Sequence, residues 1–308
     1  MSTHSPAPAD DVLRPRDLGQ ILDQTFRVFG RSWRSLLPMG LIGATPGLLY
    51  SLFVLSLSPD LQMGPFGNPL VRALAAADAG DFSGVLRLGS LMVVSWVAIL
   101  LLYPLYKGAL LDAATRAVLH MPPVSVGESF RVGATRYGAM LGSHALLVLM
   151  WIAAVPLLAL AGLLVLAFLT IPVGLIALAT FTVFTGHAVV VEQKGAGSAI
   201  GRSFELVRSR FWPLLGTGIV FWLLSTLLSY IVVGPSSFAA GIVTAITGSF
   251  LPFTLLTLVE GLAATFITPF MAVGLTVVYF DTRVRREGYD LEWMARQQAE
   301  SATGDFQP

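Results

Sequence analysis

Residues 140–191, MLGSHALLVLMWIAAVPLLALAGLLVLAFLTIPVGLIALATFTVFTGHAVVV, run for 52 positions without an Asp, Glu, Lys or Arg. As one helix rising about 1.5 Å per residue the run would reach about 78 Å. The hydrocarbon core of a bilayer is only about 30 Å thick. A segment this apolar has to cross and turn back, and Gly162 is the expected turn, with one span at 140–161 and the next at 164–190. That pair sets the fold class: all-α, a polytopic transmembrane helix bundle.

The rest of the chain extends the pattern. Further charge-free runs occupy 35–59, 88–106, 211–259 and 261–280. Spans expected at 37–57, 88–111, 213–233 and 250–280 bring the total to six. The stretch 234–248, short and rich in Ser, Thr and Gly, is expected as an outer interfacial or re-entrant segment. Bulk composition agrees, since the 308 residues are 55% hydrophobic and 12% charged, about half the roughly 25% charge of a soluble domain. The membrane domain is expected over 13–296, with disordered tails at 1–12 and 297–308. The polar, Pro-rich and then Arg-studded opening lacks the short apolar core of a signal peptide.

Charge placement fixes the expected orientation. Under the six-span count, 17 of the 19 basic residues fall on one side, and only Arg72 and Arg87 fall on the other. The positive-inside rule makes the basic side cytoplasmic, with both termini there. Arg outnumbers Lys 17 to 2, the usage of a GC-rich bacterial genome, so the expected location is the bacterial cytoplasmic membrane.

Three segments align without gaps ahead of the odd-numbered spans: Leu22, Phe26, Phe29 and Trp33; Val126, Phe130, Gly133 and Tyr137; Ile200, Phe204, Val207 and Phe211. The spacing i, i+4, i+7, i+11 is one face of a helix. The opposite faces carry Arg27 and Arg31, Arg131 and Arg136, and Arg208 and Arg210. An aromatic face backed by arginines belongs in the headgroup plane, where anionic lipid is the expected partner. Ser125 and Glu128 form a capping box for the second of these helices. The second span of each following pair carries a proline, Pro104, Pro172 or Pro269, expected as a helix break. The reading is three repeats of an interfacial helix plus a transmembrane hairpin, at about 17–119, 124–193 and 198–294.

These residues also resemble a known family. Arg14-Pro-Arg-Asp-Leu-Gly-Gln-Ile-Leu-Asp-Gln-Thr-Phe-Arg-Val-Phe, Ser203-Phe-Glu-Leu-Val-Arg-Ser-Arg-Phe-Trp-Pro-Leu-Leu-Gly and Thr268-Pro-Phe are three such stretches. The fourth, Tyr279-Phe-Asp-Thr-Arg-Val-Arg-Arg-Glu-Gly-Tyr-Asp-Leu-Glu, is the most specific. Together they resemble the glycerophosphoryl diester phosphodiesterase membrane domain family of bacterial proteins. The resemblance implies the membrane region alone. The catalytic barrel that gives the family its name needs about 250 further residues and has no counterpart in this sequence, nor do its strand-end His-Arg and Glu motifs.

Little in the chain points to chemistry. There is no cysteine, no HExxH, no GxSxG, no phosphate loop and no GxGxxG, so no enzyme activity, metal or cofactor is expected, and no nucleic-acid partner. His144 and His187 lie near the inner ends of two spans, and Glu260 is the lone carboxylate between two apolar runs. Intramembrane ionisable residues are candidate sites by default. Counting back from Asp281 places Glu260 about 31 Å away along a helix, at the outer boundary. Arg283, Arg285 and Arg286 form a candidate docking surface for a protein partner at the cytoplasmic end. The expected role is a non-enzymatic scaffold or accessory protein; the alternative is a transporter or permease for a small solute or lipid.

Overall fold

The computed structural model describes residues 15–57, 80–162, 167–248 and 251–288. The expected tails, together with Arg14, Arg72 and Arg296, lie outside them. The described residues form nine helices and no strand. They are α1 (Leu18–Leu57), α2 (Ser83–Val118), α3 (Val126–Thr135), α4 (Tyr137–Ala161), α5 (Ala167–Thr182), α6 (Thr185–Val190), α7 (Ala196–Arg208), α8 (Phe211–Thr247) and α9 (Leu251–Glu287).

Among the described residues, five stretches are long and apolar enough to cross a membrane: Val97–Val118, Tyr137–Ala161, Phe168–Val190, Phe211–Thr247 and Leu258–Glu287. Several such helices in one chain make an integral membrane protein. The expected span 37–57 is the second half of α1, and its side chains from 49 to 57 lie outside the described residues.

Three expectations about helix ends need correction. Pro104, Pro172 and Pro269 do not break their helices; each sits inside a continuous one. A proline removes one N–H, but where water cannot compete for the backbone the remaining ladder holds. The stretch 234–248 is likewise not a separate re-entrant segment. Helix α8 runs through it for 37 residues, with the Ser236 and Ser237 hydroxyls returned to the Val232 and Val233 carbonyls at 3.4 and 2.8 Å. It stops at Gly248, whose φ of 67° only glycine adopts freely. At about 1.5 Å per residue α8 is about 55 Å long, so it tilts or projects from the bilayer. The third correction concerns the first amphipathic segment, which is continuous with the helix after it in α1. The second and third are separated from α4 and α8 by breaks at Arg136 (φ −105°, ψ 6°) and Arg210 (φ −132°, ψ 26°).

Other local readings hold. Gly162 follows the last residue of α4 and its N–H reaches the Leu158 carbonyl at 3.0 Å. Ser125 caps α3, its hydroxyl accepting from the Glu128 N–H at 3.3 Å.

Burial concentrates at the arginine end of the bundle. The largest enclosed side chains are Tyr279, Phe184, Phe221 and Phe280, gathered where α9 meets α1, α2, α6 and α8. Along α4 and α8, by contrast, Leu149, Leu157, Leu160, Trp222 and Tyr230 point outward, as lipid-facing residues do. The amphipathic segments pack in a regular order: α1 along α9, α3 against α2, and α7 against α4, α5 and α6.

Candidate functional site

Three carboxylates stand at the arginine end, each at or just beyond the end of a long apolar helix. Asp112 on α2 accepts the Ser129 hydroxyl of α3 at 3.1 Å and pairs with Arg116 one turn on, also at 3.1 Å. Glu192, just after α6, accepts the Arg202 guanidinium of α7 at 2.8 and 3.1 Å and the Tyr279 hydroxyl at 2.7 Å. Asp281 on α9 accepts the Arg16 backbone N–H at 2.7 Å and Arg285 Nε at 3.1 Å. Arg285 closes that knot by donating to the Arg16 carbonyl at 2.6 Å.

Each carboxylate therefore binds the amphipathic segment that follows it, and the last binds the segment that opens the chain. Arg202 is the hub. It also meets Glu205 at 3.3 Å and Glu287 in a shorter ion pair, while Arg283 joins Glu287 at 3.0 Å. Burial alone would pull the Arg202 pKa down, but hydrogen bonds and charge from Glu192 and then Glu287 raise it, so the guanidinium stays charged. Arg210 is the contrast. Burial and the nearby Arg285 charge lower its pKa, with Asp281 acting against them.

A second polar group lies deeper, inside the bundle. His187 is 2% exposed, and its Nε2 is 3.2 Å from Thr276 Oγ1. That hydroxyl already donates to the Ala272 carbonyl, so Nε2 carries the proton and, among the described residues, Nδ1 is left as a buried acceptor without a partner. The imidazole stacks on Tyr279 at 5.0 Å. His144 donates Nδ1–H to the Met140 carbonyl at 2.9 Å and meets the Tyr103 ring edge-on at 5.4 Å. Between the two histidines, the Lys107 ammonium lies 5.9 Å from the Tyr103 ring centre, its stem against the space left by Gly186. Among the described residues Lys107 has no ion-pair partner.

The other candidates scatter. Glu260 is exposed on α9 and joins neither group. Arg27 pairs with Asp23, and Arg131 lies 3.9 Å from Glu128. Arg136 sits at the α3–α4 break, and Arg208 borders a groove with Phe181 and Phe204. Arg283, Arg285 and Arg286 do not stand together as one open patch: their guanidiniums reach Glu287, Asp281 and Glu205 at 3.0, 3.1 and 3.7 Å. Among the described residues no group of three or more His, Asp or Glu side chains could hold a metal ion.

Sequence reasoning missed three hydroxyls. Thr25, Ser129 and Ser203 occupy the same place in the three aligned segments, immediately before a phenylalanine, and all are at most 1% exposed. Ser203 accepts the Phe184 N–H at 3.1 Å and donates to the Phe181 carbonyl at 2.7 Å, holding the turn between α5 and α6. The signal was a polar residue at one fixed position in each copy. Comparison with known protein families, curated proteins and solved structures finds no match to this chain.

Proposed function

We propose that the chain is a six-span protein of the bacterial cytoplasmic membrane, both termini cytoplasmic, acting as a non-enzymatic scaffold or accessory protein. In this reading three repeats of amphipathic segment plus hairpin form a ring, and its arginine end is a rigid platform at the inner face. The carrying observation is the cyclic set of ties from Asp112 to Ser129, Glu192 to Arg202 and Asp281 to Arg16. These ties direct the buried charge of that end into holding helices together. The family resemblance of the Arg14, Ser203 and Tyr279 stretches, which is to a membrane region, supports the same reading.

The topology has a direct test, because a chain without cysteine accepts single ones as clean probes. Ser198→Cys, in the exposed first turn of α7, is expected to react with a membrane-impermeant maleimide only in inside-out vesicles. Ala245→Cys, about 51 Å along α8 from Phe211, is expected to react only in intact cells. Labelling of both from one side would remove the orientation. For the role, a photo-crosslinking residue at Arg208 is expected to give a discrete protein adduct, and one at the outward Leu227 only lipid. Lipid adducts alone at both positions would sink the scaffold.

One observation favours the transporter or permease alternative: among the described residues the buried Nδ1 of His187 has no hydrogen-bond partner, and the half-buried Lys107 nearby has no ion-pair partner. Buried groups of this kind in membranes mark substrate or proton routes. That alternative expects a ligand that raises the unfolding temperature, an effect lost in Lys107→Met.

A further inference from the structure

A cavity of about 290 Å³ opens between α1, the end of α2, the loop after it and α3. Arg31, Arg34, Arg116 and His120 line it, and Val28 and Met39, each 1% exposed, contribute apolar wall. The charge balance is one-sided. Arg116 is neutralised by Asp112, whose other tie is to Ser129 at the cavity edge. Arg31 and Arg34 have no ion-pair or hydrogen-bond partner among the described residues, and Arg34 rests only on the Trp33 ring at 5.5 Å. Among the described residues no Asp or Glu lines the space.

The walls are stiff. His120 takes a left-handed backbone at φ 55°, Met121 N–H returns to the Arg116 carbonyl at 2.9 Å, and Pro122 and Pro123 follow. The cavity also crosses the charge boundary of α1. From Arg31 to Met39 is about 12 Å along α1, from the arginine level to one turn inside the apolar run that begins at Ser35. Guanidiniums at one end and aliphatic wall at the other suit an amphiphile with an anionic head. Arginine forks match phosphate oxygens in pairs, and basic pockets between membrane helices take phospholipid headgroups. The volume lies at the small end of the usual range for ligand pockets, about 300–1,000 Å³, which suits one headgroup.

We propose that this cavity binds a phosphate ester, with the phosphate on Arg31 and Arg34 and any acyl chain leaving past Met39. The site goes beyond the scaffold reading and does not depend on it. Native mass spectrometry and thermal unfolding of the full chain in non-ionic detergent test it, using short-chain phosphatidylglycerol, glycerol 1-phosphate and dodecanoate as probes. The expected result is one phosphatidylglycerol per chain, with affinity falling about tenfold in Arg31→Gln/Arg34→Gln, the worth of about one charge-assisted contact. Binding should be partly kept in Arg31→Lys/Arg34→Lys and unchanged in Arg131→Gln. Glycerol 1-phosphate binding with the same arginine dependence, and no response to the lipid, would assign the site to a soluble organophosphate. Failure of both phosphates, equal binding by dodecanoate, or an equal loss in Arg131→Gln would overturn the proposal. Unliganded variants should unfold at the parent temperature, which separates lost binding from lost folding.

Discussion

Arg202→Ala is expected to lower the stability of the folded protein by about 3 kcal/mol, read as the shift in reversible unfolding in mixed micelles. The figure is the lower end of the 3–5 kcal/mol for removing one partner of a buried ion pair. The lower end applies because water reaches the rim of this network. The cost is set by what remains. Glu192 and Arg202 have side chains only 10% and 14% exposed, so the substitution leaves a desolvated carboxylate whose nearest donor is the Tyr279 hydroxyl at 2.7 Å. Glu287 loses one of its two guanidiniums as well. Two comparisons decide whether burial or mere charge is responsible. Glu192→Gln/Arg202→Met removes both charges and is expected to recover most of the loss, since apolar replacement of a buried pair is often neutral. Glu205→Ala removes a partner whose side chain is 56% exposed and is expected to cost under about 1 kcal/mol. Equal destabilisation by Arg202→Ala and Glu205→Ala would mean that the network does not hold α6, α7 and α9 together.

Placement in the membrane was legible because hydrophobicity over about 20 residues depends on no tertiary contact. Which face of each helix points inward was not, and the reason is the solvent. In lipid an apolar side chain has nothing to gain from leaving the surface, so the aromatic stripe at Phe26, Trp33 and Phe204 does not mark the core. Phe26 is 51% exposed and Trp33 40%. The buried stripe runs one position away, through Ile21, Thr25 and Val28 in α1 and Ala199, Ser203 and Leu206 in α7. Its marker is the hydroxyl, because a polar group that cannot face lipid must face a partner. The arginines show the same limit. Sequence placed them at one end, but equal charge hides unequal fates: Arg285 is spent on Asp281 and the Arg16 carbonyl, while Arg31 and Arg34 face a cavity. Helix ends misled for a backbone reason. Pro235 would break a helix in water, where the freed carbonyl is solvated, whereas α8 continues through it.

Gly40→Ala is expected to be the most damaging single methyl in the protein. A Cβ at Gly40 would stand 2.8 Å from the Thr265 carbonyl carbon, 3.0 Å from its Cα and closer still to its oxygen. All three are backbone atoms of α9, so no rotamer relieves the clash, and the two helices must part along their whole contact. Leu36 and Met39, 0% and 1% exposed, would lose packing with them. Small residues at such crossings are what lets membrane helices approach. The expected loss is above about 3 kcal/mol, beyond the usual overpacking range, seen as aggregated protein on size-exclusion chromatography or a collapsed unfolding temperature. Two other glycines of the same helix calibrate it. At Gly43 the obstacle is the Tyr106 ring, a side chain that can turn aside, so Gly43→Ala should cost less. At Gly30 nothing lies within 4 Å, so Gly30→Ala should be neutral or stabilising by up to about 1 kcal/mol through helix propensity. The order Gly40, Gly43, Gly30 separates backbone contact from side-chain contact and from propensity. If Gly40→Ala behaves like Gly30→Ala, the close crossing of α1 over α9 is wrong, and with it the tie between Arg16 and Asp281.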